Sequence, residues 1–167
     1  MKSKFVGLSW QEFLDSRNFL GDIGEWQGEG VTTGIWPSIP AGLKYEVSQV
    51  IRWNMDQTKL LYSYSLKAAS GEISSEGQGF ITYQYDQKRI YSRNNGYNQG
   101  QSYTGTSRLL GANEKQELWT CEQCMAEAKY AFRKTINWVS ENEKWITHDE
   151  RMGDPFSFDL MRMVKVK

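Results

Sequence analysis

The segment 24–30, which reads Gly-Glu-Trp-Gln-Gly-Glu-Gly, constrains the fold more than any other part of the chain. It places a Gly-x-Trp element between a short amphipathic helix and a long run of alternating aromatic strands. This arrangement indicates the opening strand of a small antiparallel barrel. We expect Trp26 to plug the closed end of that barrel.

A capped helix precedes this segment. Ser9 and Glu12 match the capping box, in which a Ser hydroxyl and a Glu carboxylate satisfy two backbone N–H groups reciprocally. Phe13 and its apolar neighbours then fall on one helical face. We predict a helix over 8–20, followed by a barrel over 24–167. The helix either covers the barrel end or packs on the outside of the sheet.

The rest of the chain alternates at the period of a strand. The stretch 44–54 places mostly apolar side chains on one face and mostly polar ones on the other, as a half-buried strand requires. About ten such stretches follow one another across short turns, which is typical of a closed meander or a sandwich. Closure is favoured because it removes exposed edges. We therefore predict an all-β chain: one up-and-down antiparallel barrel of about ten strands, in a single domain over 1–167.

One connection is longer than the others. The stretch 94–101 is rich in Asn and Gly, which tolerate positive φ angles. We predict that it forms a loop at one rim of the barrel. Its composition favours mobility, so we expect it to act as a lid.

Composition limits the classes of partner. The chain has 20 Lys and Arg against 20 Asp and Glu, so its formal net charge is zero. A nucleic-acid-binding domain normally carries a basic excess, and we expect no such partner. No apolar run reaches the 18 residues of a membrane span, and residues 1–8 lack the apolar core of a secretory signal. The expected location is the cytoplasm.

The two cysteines and the single histidine are the candidate metal or redox residues. Cys121 and Cys124 form a C-x-x-C pair, which can be a redox motif or half of a zinc site. The sequence lacks both a βαβ setting and further zinc ligands, so we interpret them as reduced structural thiols. His148 and Trp145 belong to opposite faces of one strand. If Trp145 points inward, His148 faces solvent rather than acting as a base or haem ligand.

The capped helix, Gly24-x-Trp26 and a last strand carrying Arg162 together resemble the calycins, the superfamily of lipocalins and fatty-acid-binding proteins. The resemblance implies that Trp26 seals the barrel base with Arg162 close to it. The segment 24–30, with Ile-Trp-Pro-Ser-Ile at 35–39, is more narrowly similar to the nitrobindins. The closing hairpin is similar to uncharacterised bacterial lipocalin-like domains.

The nitrobindin resemblance also implies a haem, held by a His close to the C terminus. Residues 153–167 of this chain contain no His. Trp36 and Ser38 also replace the Tyr and Thr of the nitrobindin pattern. We therefore expect no tightly bound haem, and no other cofactor is predicted.

Aromatic residues make up 14% of the chain, which is high for a domain of this size. Large rings fill cores and also line ligand cavities, and a barrel of eight to ten strands leaves room for one small ligand. We predict a ligand-binding wall of aromatic side chains with an arginine as polar anchor: Trp53, Tyr62, Tyr64, Tyr83, Tyr91, Arg93, Tyr103 and Trp138.

Three classes of function follow. The favoured one is binding or carriage of a small, largely apolar or aromatic molecule. A small barrel enzyme of the isomerase, cyclase or chromophore lyase type, acting on a hydrophobic substrate, is the second. The third is a structural or interaction module with a filled core. The first is favoured because the sequence offers no triad, metal cluster or carboxylate pair, so no catalytic residue is named. A homodimer is left open.

Overall fold

The computed structural model describes residues 8–19, 21–32, 40–68, 70, 74–149 and 158–167. These residues form one helix, α1, and ten strands, β1 to β10. Their bounds are α1 Trp10–Phe19, β1 Gly24–Val31, β2 Lys44–Trp53, β3 Leu60–Ala68, β4 Ser74–Gln84, β5 Arg89–Asn98, β6 Gln101–Ala112, β7 Gln116–Met125, β8 Ala128–Ser140, β9 Glu143–Asp149 and β10 Phe158–Lys165.

The ten strands form one closed barrel, in which every strand pairs with its neighbours in sequence and β10 pairs with β1. All ten pairings are antiparallel. The closing pair runs from Trp26 opposite Lys165 to Val31 opposite Leu160. Because closure leaves no free edge, the meander is stable as a single layer wrapped around its own core. The predicted fold class is confirmed.

The predicted lid at 94–101 is wrong. Strand β5 continues to Asn98 and β6 begins at Gln101, which is paired with Asn98. Gln99 and Gly100 alone make the turn, with φ angles of 51° and 79°. Two consecutive positive φ angles are what a tight two-residue hairpin needs. The Asn-rich and Gly-rich composition therefore belongs mostly to strand, where Gly96 lies close to the neighbouring strand.

Helix α1 lies across one end of the barrel. The capping box forms as predicted: the Ser9 backbone N donates to Glu12 Oε2 at 2.8 Å, and the Glu12 backbone N donates to Ser9 Oγ at 3.3 Å. Phe13 is fully buried in the main apolar cluster of the barrel. Trp10 Nε1 donates to the carbonyl of Gln57 in the β2–β3 turn at 3.2 Å. The helix therefore covers the barrel end, which was one of the two predicted positions.

Trp26 lies at this covered end, as predicted. Its side chain is 1% exposed, and its ring meets that of Trp138 edge to face, with centroids 6.1 Å apart. Its Nε1 donates to the carbonyl of Asp22 at 2.9 Å. Lys144 Nζ lies 4.2 Å from the ring centroid. Trp26 is thus held by apolar packing, a hydrogen bond and a cation.

The expected role of Arg162 is corrected by the structure. Arg162 lies on the outside of β10, where its side chain is 59% exposed and its Nε donates to Glu143 Oε1 at 2.8 Å. Met163, its neighbour on the same strand, is buried, so alternation turns Arg162 outward. The cations that lie over the Trp26 ring are instead Lys144, at 4.2 Å from the centroid, and Lys165, at 5.8 Å.

Candidate functional site

A cavity of about 230 Å³ lies inside the barrel, bounded on one side by the helix-covered end. Much of its lining is aliphatic, with Val47 and Ile51 from β2, Leu60 from β3, Ile136 from β8 and Ile146 from β9. All five are buried and occupy inward positions of their strands. The period-two pattern of the sequence thus builds the apolar surface of the cavity directly.

A network of buried charges forms one boundary of the cavity. Arg17 Nη1 donates to Asp22 Oδ2 at 2.6 Å, and Arg17 Nη2 donates to Glu117 Oε2. Lys144 Nζ donates to Asp22 Oδ1 at 2.8 Å, and Trp119 Nε1 donates to Glu117 Oε2 at 3.0 Å. The four charged side chains are at most 3% exposed. Two cations balance two carboxylates, so the network carries no net charge.

Burial and pairing act in opposite directions on the pKa values of the network. Burial lowers the pKa of Lys144, and the charge of Asp22 opposes this effect. Burial alone would raise the pKa of Asp22, but the charges and hydrogen bonds of Lys144 and Arg17 overcome this effect and hold that pKa below its usual value. Within the part of the chain that the structure describes, Arg17 Nε and Glu117 Oε1 have no hydrogen-bond partner. Arg17, Asp22 and Lys144 line the cavity, which therefore has polar groups at the covered end.

Tyrosines form one side of the cavity wall. Tyr62 Oη and Ser92 Oγ are 2.9 Å apart and share a hydrogen bond, and the hydroxyls of Tyr64 and Tyr103 bond to each other. Gly77 makes room for two of these rings, because a Cβ atom there would come within 2.8 Å of the Tyr64 ring and would also meet the Tyr103 hydroxyl. Burial raises the pKa of all three tyrosines, so they stay neutral at physiological pH.

Lys134, His148 and Cys121 face the cavity from three neighbouring strands. Lys134 Nζ lies 5.1 Å from the ring centroid of Trp119, and the His148 ring meets Phe132 edge-on, with centroids 5.6 Å apart. Burial, with a smaller effect of the Lys134 charge, lowers the pKa of His148 to about 3. Burial raises the pKa of the Cys121 thiol against the opposing effect of Lys134. Both groups are therefore neutral near pH 7.

The predicted aromatic wall is only partly present. Tyr62 and Tyr64 line the cavity, and Tyr103 contacts Tyr64 from the neighbouring surface of the wall. Trp53 and Trp138 pack into the covered end instead: Trp53 lies edge-on to Trp10 of the helix, and Trp138 lies against Trp26. Both rings stabilise the closure of the barrel rather than line the cavity.

The remaining predicted wall residues lie elsewhere. Tyr83 packs against the main apolar cluster and edge-on to Tyr85, with ring centroids 5.0 Å apart. Tyr91 and Arg93 point outward from β5, because the buried positions of that strand are Ile90 and Ser92. The sequence prediction placed the inward face of β5 one residue out of register. An error of one residue exchanges the inward and outward faces of a strand, so both side chains were predicted on the wrong face. Arg93 therefore cannot anchor a ligand inside the barrel.

The predicted orientation of His148 is also wrong. Trp145 lies on the outside of β9, where it is 41% exposed and its Nε1 donates to Glu143 Oε1 at 2.9 Å. Lys144, Ile146 and His148 consequently turn inward. The prediction took the face of Trp145 as the inward one. The inward face instead carries Lys144, which is stabilised there by Asp22, a partner 122 positions away in the chain.

The low pKa of His148 predicts a pH dependence of stability. Its pKa in the folded state lies near 3, below the usual 6.5, so the unfolded chain binds the proton more readily. The stabilisation is complete above about pH 6.5 and is lost as the pH falls towards 3. When the pH falls from 7 to 4.5, the parent should lose on the order of 2 kcal/mol more of its unfolding free energy than His148→Gln does. Urea unfolding at several pH values measures this difference; parallel pH profiles would contradict it.

The two cysteines lie on opposite faces of β7. Cys121 is buried and faces the cavity, whereas Cys124 is exposed, and both are free thiols. A spacing of three residues on a strand separates the side chains, so they cannot ligate one metal together. Within the described ranges, no group of three or more His, Cys, Asp or Glu side chains is arranged to hold a metal ion.

The cavity also bears on the haem that the nitrobindin resemblance implies. At about 230 Å³, it falls below the roughly 300–1,000 Å³ of sites for drug-sized ligands. A haem macrocycle is larger still, so the space among the described residues is smaller than that group. The segment 35–39, which carries part of that resemblance, lies outside the described residues, as does Leu20 at the end of the predicted helix.

Sequence reasoning missed the charged groups of the interior. Arg17 follows Phe13 by four residues and so shares its buried helical face. Glu117 alternates with Trp119, and Lys134 alternates with Ile136. Each charged residue stands at a position where the pattern of its own helix or strand predicts a buried apolar side chain. This mismatch is the signal in the sequence that could have identified the charged groups. Opposite charges at such positions, in elements far apart in sequence, predict pairing when both are buried.

Comparison with known proteins finds no protein-family model that matches the chain and no curated protein that matches its sequence. The closed ten-stranded barrel with its short N-terminal helix is consistent with a calycin-like fold. No helix among the described residues has the length and apolar character needed to cross a membrane.

Proposed function

We propose that this protein binds or carries a small, largely apolar molecule inside the barrel. The observation that supports it is the internal cavity of about 230 Å³, which has aliphatic, aromatic and polar lining in one space. A well-packed interior has few voids much larger than a water molecule. A space of this size at the centre of a closed barrel is therefore a candidate ligand site.

The volume suggests the scale of the ligand. It lies below the range for drug-sized molecules, which favours a compact ligand of one or two fused rings. Tyr62, Tyr64 and Trp119 supply flat surfaces, and Ile51 and Ile136 supply aliphatic contacts. We propose a nitrobindin-like or lipocalin-like relationship within the calycins, without haem, and a cytoplasmic location.

A substitution that fills the cavity tests the proposal. Val47 lines the cavity and is 6% exposed, so Val47→Phe should occupy the space of the ligand. We expect the parent protein to bind the neutral two-ring fluorophore 1-aminonaphthalene, with a rise in probe emission on excitation of the tryptophans. Val47→Phe should weaken binding at least about 10-fold, corresponding to the loss of about 1.4 kcal/mol. Fluorescence titration measures both affinities.

Val50→Phe is the matched control. Val50 lies on the same strand but faces outward, with 43% of its surface exposed. The control should bind the probe as the parent does. Equal affinities of the parent and Val47→Phe would show that the probe binds outside the barrel. If the parent binds neither this probe nor other compact apolar molecules, the module without a ligand becomes the better interpretation.

A further inference from the structure

One cation of the cavity takes no part in the buried network. Lys134 lines the cavity from β8, with its Nζ over the ring of Trp119 at 5.1 Å from the centroid. No Asp or Glu among the described residues forms an ion pair with it. By contrast, Arg17 and Lys144 each have a carboxylate within hydrogen-bond distance.

The charges around the cavity therefore do not cancel. Among the described residues in the lining and the buried network, three cations, Arg17, Lys134 and Lys144, stand against two carboxylates, Asp22 and Glu117. The inward-facing histidine is neutral near pH 7, and so are the tyrosine hydroxyls of the wall. The excess of one positive charge belongs to Lys134.

The cavity wall also contains amide groups with hydrogen-bonding capacity to spare. Asn98 is 6% exposed and lines the cavity, and its Oδ1 has no hydrogen-bond partner among the described residues. Gln49 Oε1, from β2, is likewise without a partner. Unpaired polar atoms in a buried site favour an occupant that has polar groups of its own. A purely hydrocarbon ligand would leave the Lys134 ammonium without an acceptor. The two amide oxygens are acceptors themselves, so they need a donor on the body of the ligand and are not satisfied by a carboxylate.

We propose that the ligand is a small monocarboxylate with an apolar, preferably aromatic body, and that Lys134 is the counter-ion of its carboxylate. This inference rests on the proposed function. The body of the acid occupies the aliphatic and tyrosine-lined space, and the carboxylate accepts a charge-assisted hydrogen bond from Lys134 Nζ. Binding brings the interior charge to zero. An uncharged ligand of the same shape leaves the excess charge in place and binds more weakly.

The test compares two probes of similar shape, trans-cinnamate and its neutral methyl ester, by isothermal titration calorimetry at pH 7. A hydrogen bond to a charged group corresponds to about 10-fold to 100-fold in affinity, and we expect the parent to prefer cinnamate by this factor. Lys134→Met should remove the preference by weakening cinnamate binding while leaving binding of the ester nearly unchanged. Lys134→Arg, which keeps the cation, should retain most of it.

Lys59→Met is the matched control. Lys59 Nζ also lies over an aromatic ring, that of Phe80 at 5.2 Å from the centroid, but it is exposed on the outside of the barrel. This variant should keep the preference of the parent. Thermal melting checks the fold; Lys134→Met should melt no lower than the parent, because it removes a cation without a carboxylate partner. Lys134→Gln serves in its place if the Met variant does not fold.

The outcomes separate this inference from the proposed function. If the parent binds both probes equally, or binds 1-aminonaphthalene but not cinnamate, the carboxylate proposal is overturned while ligand binding stands. If Lys134→Met weakens both probes by the same factor, Lys134 shapes the cavity rather than pairing with charge, and the proposal is overturned as well. If the parent binds none of the three molecules, both proposals fail together.

Discussion

Trp26→Ala should lower the free energy of unfolding by about 3–5 kcal/mol, the range for removal of a large buried aromatic side chain. The ring is 1% exposed and packs against Trp138. The substitution also removes the donor to the Asp22 carbonyl and the aromatic surface beneath Lys144. Urea unfolding followed by circular dichroism measures the change.

Trp145→Ala is the matched control, since it deletes the same side chain from the outside of the barrel. Trp145 is 41% exposed, and its Nε1 bonds to Glu143 at the surface. We expect a much smaller loss of stability there. Similar midpoints for Trp26→Ala and the parent protein would mean that Trp26 does not plug the barrel.

Asp22→Asn should have an effect of the same order, about 3–5 kcal/mol, because removing one partner of a buried ion pair leaves charge uncompensated. Asp22 accepts from both Arg17 and Lys144, and all three side chains are at most 3% exposed. In the variant, two buried cations would face the single carboxylate of Glu117. Chemical unfolding at pH 7, where the parent Asp22 is ionised, gives the difference.

Glu122→Gln provides the comparison for Asp22→Asn. Glu122 pairs with Lys129 at 2.9 Å, but both side chains are more than half exposed, and exposed pairs contribute little. We expect no clear change in its unfolding midpoint. If Asp22→Asn were as mild as Glu122→Gln, the buried network would not be stabilising the covered end.

The loss of stability at acidic pH gives a second measure of the contribution of the Asp22 carboxylate to the free energy of unfolding. The pKa of Asp22 is held below its usual value, so its stabilisation is present above the pKa of the unfolded chain. It is lost as the pH falls through the lower pKa of the folded state. This loss occurs at more acidic pH than the loss caused by protonation of His148 in the unfolded chain. The two contributions are therefore separable in His148→Gln.

The sequence predicted the architecture because its strongest signals are local. Alternation at period two, the capping box at Ser9 and Glu12, and the Gly-x-Trp element each depend on residues close together in the chain. Closure then follows from the need to remove edges. Strand number, barrel closure and the place of Trp26 could all be derived in this way.

The candidate site could not be derived in the same way, because it depends on which face of each strand points inward. On β5, an error of one residue in the prediction placed Tyr91 and Arg93 inside the barrel. On β9, the assumption that Trp145 is buried placed His148 outside. Local patterns favour the aromatic ring as the buried group. The structure instead buries Lys144, whose partner Asp22 is distant in sequence, and pairing of that kind leaves no local trace.

The packing of Tyr64 and Tyr103 over Gly77 has a consequence for how the specificity of such a barrel could evolve. The position of these rings is set by a backbone that lacks a side chain, since a Cβ at Gly77 would collide with both tyrosines. A single added methyl group there would push the rings towards the cavity and shrink it, with no lining residue replaced. Selection on the size of the bound molecule could thus act through a residue that never touches it.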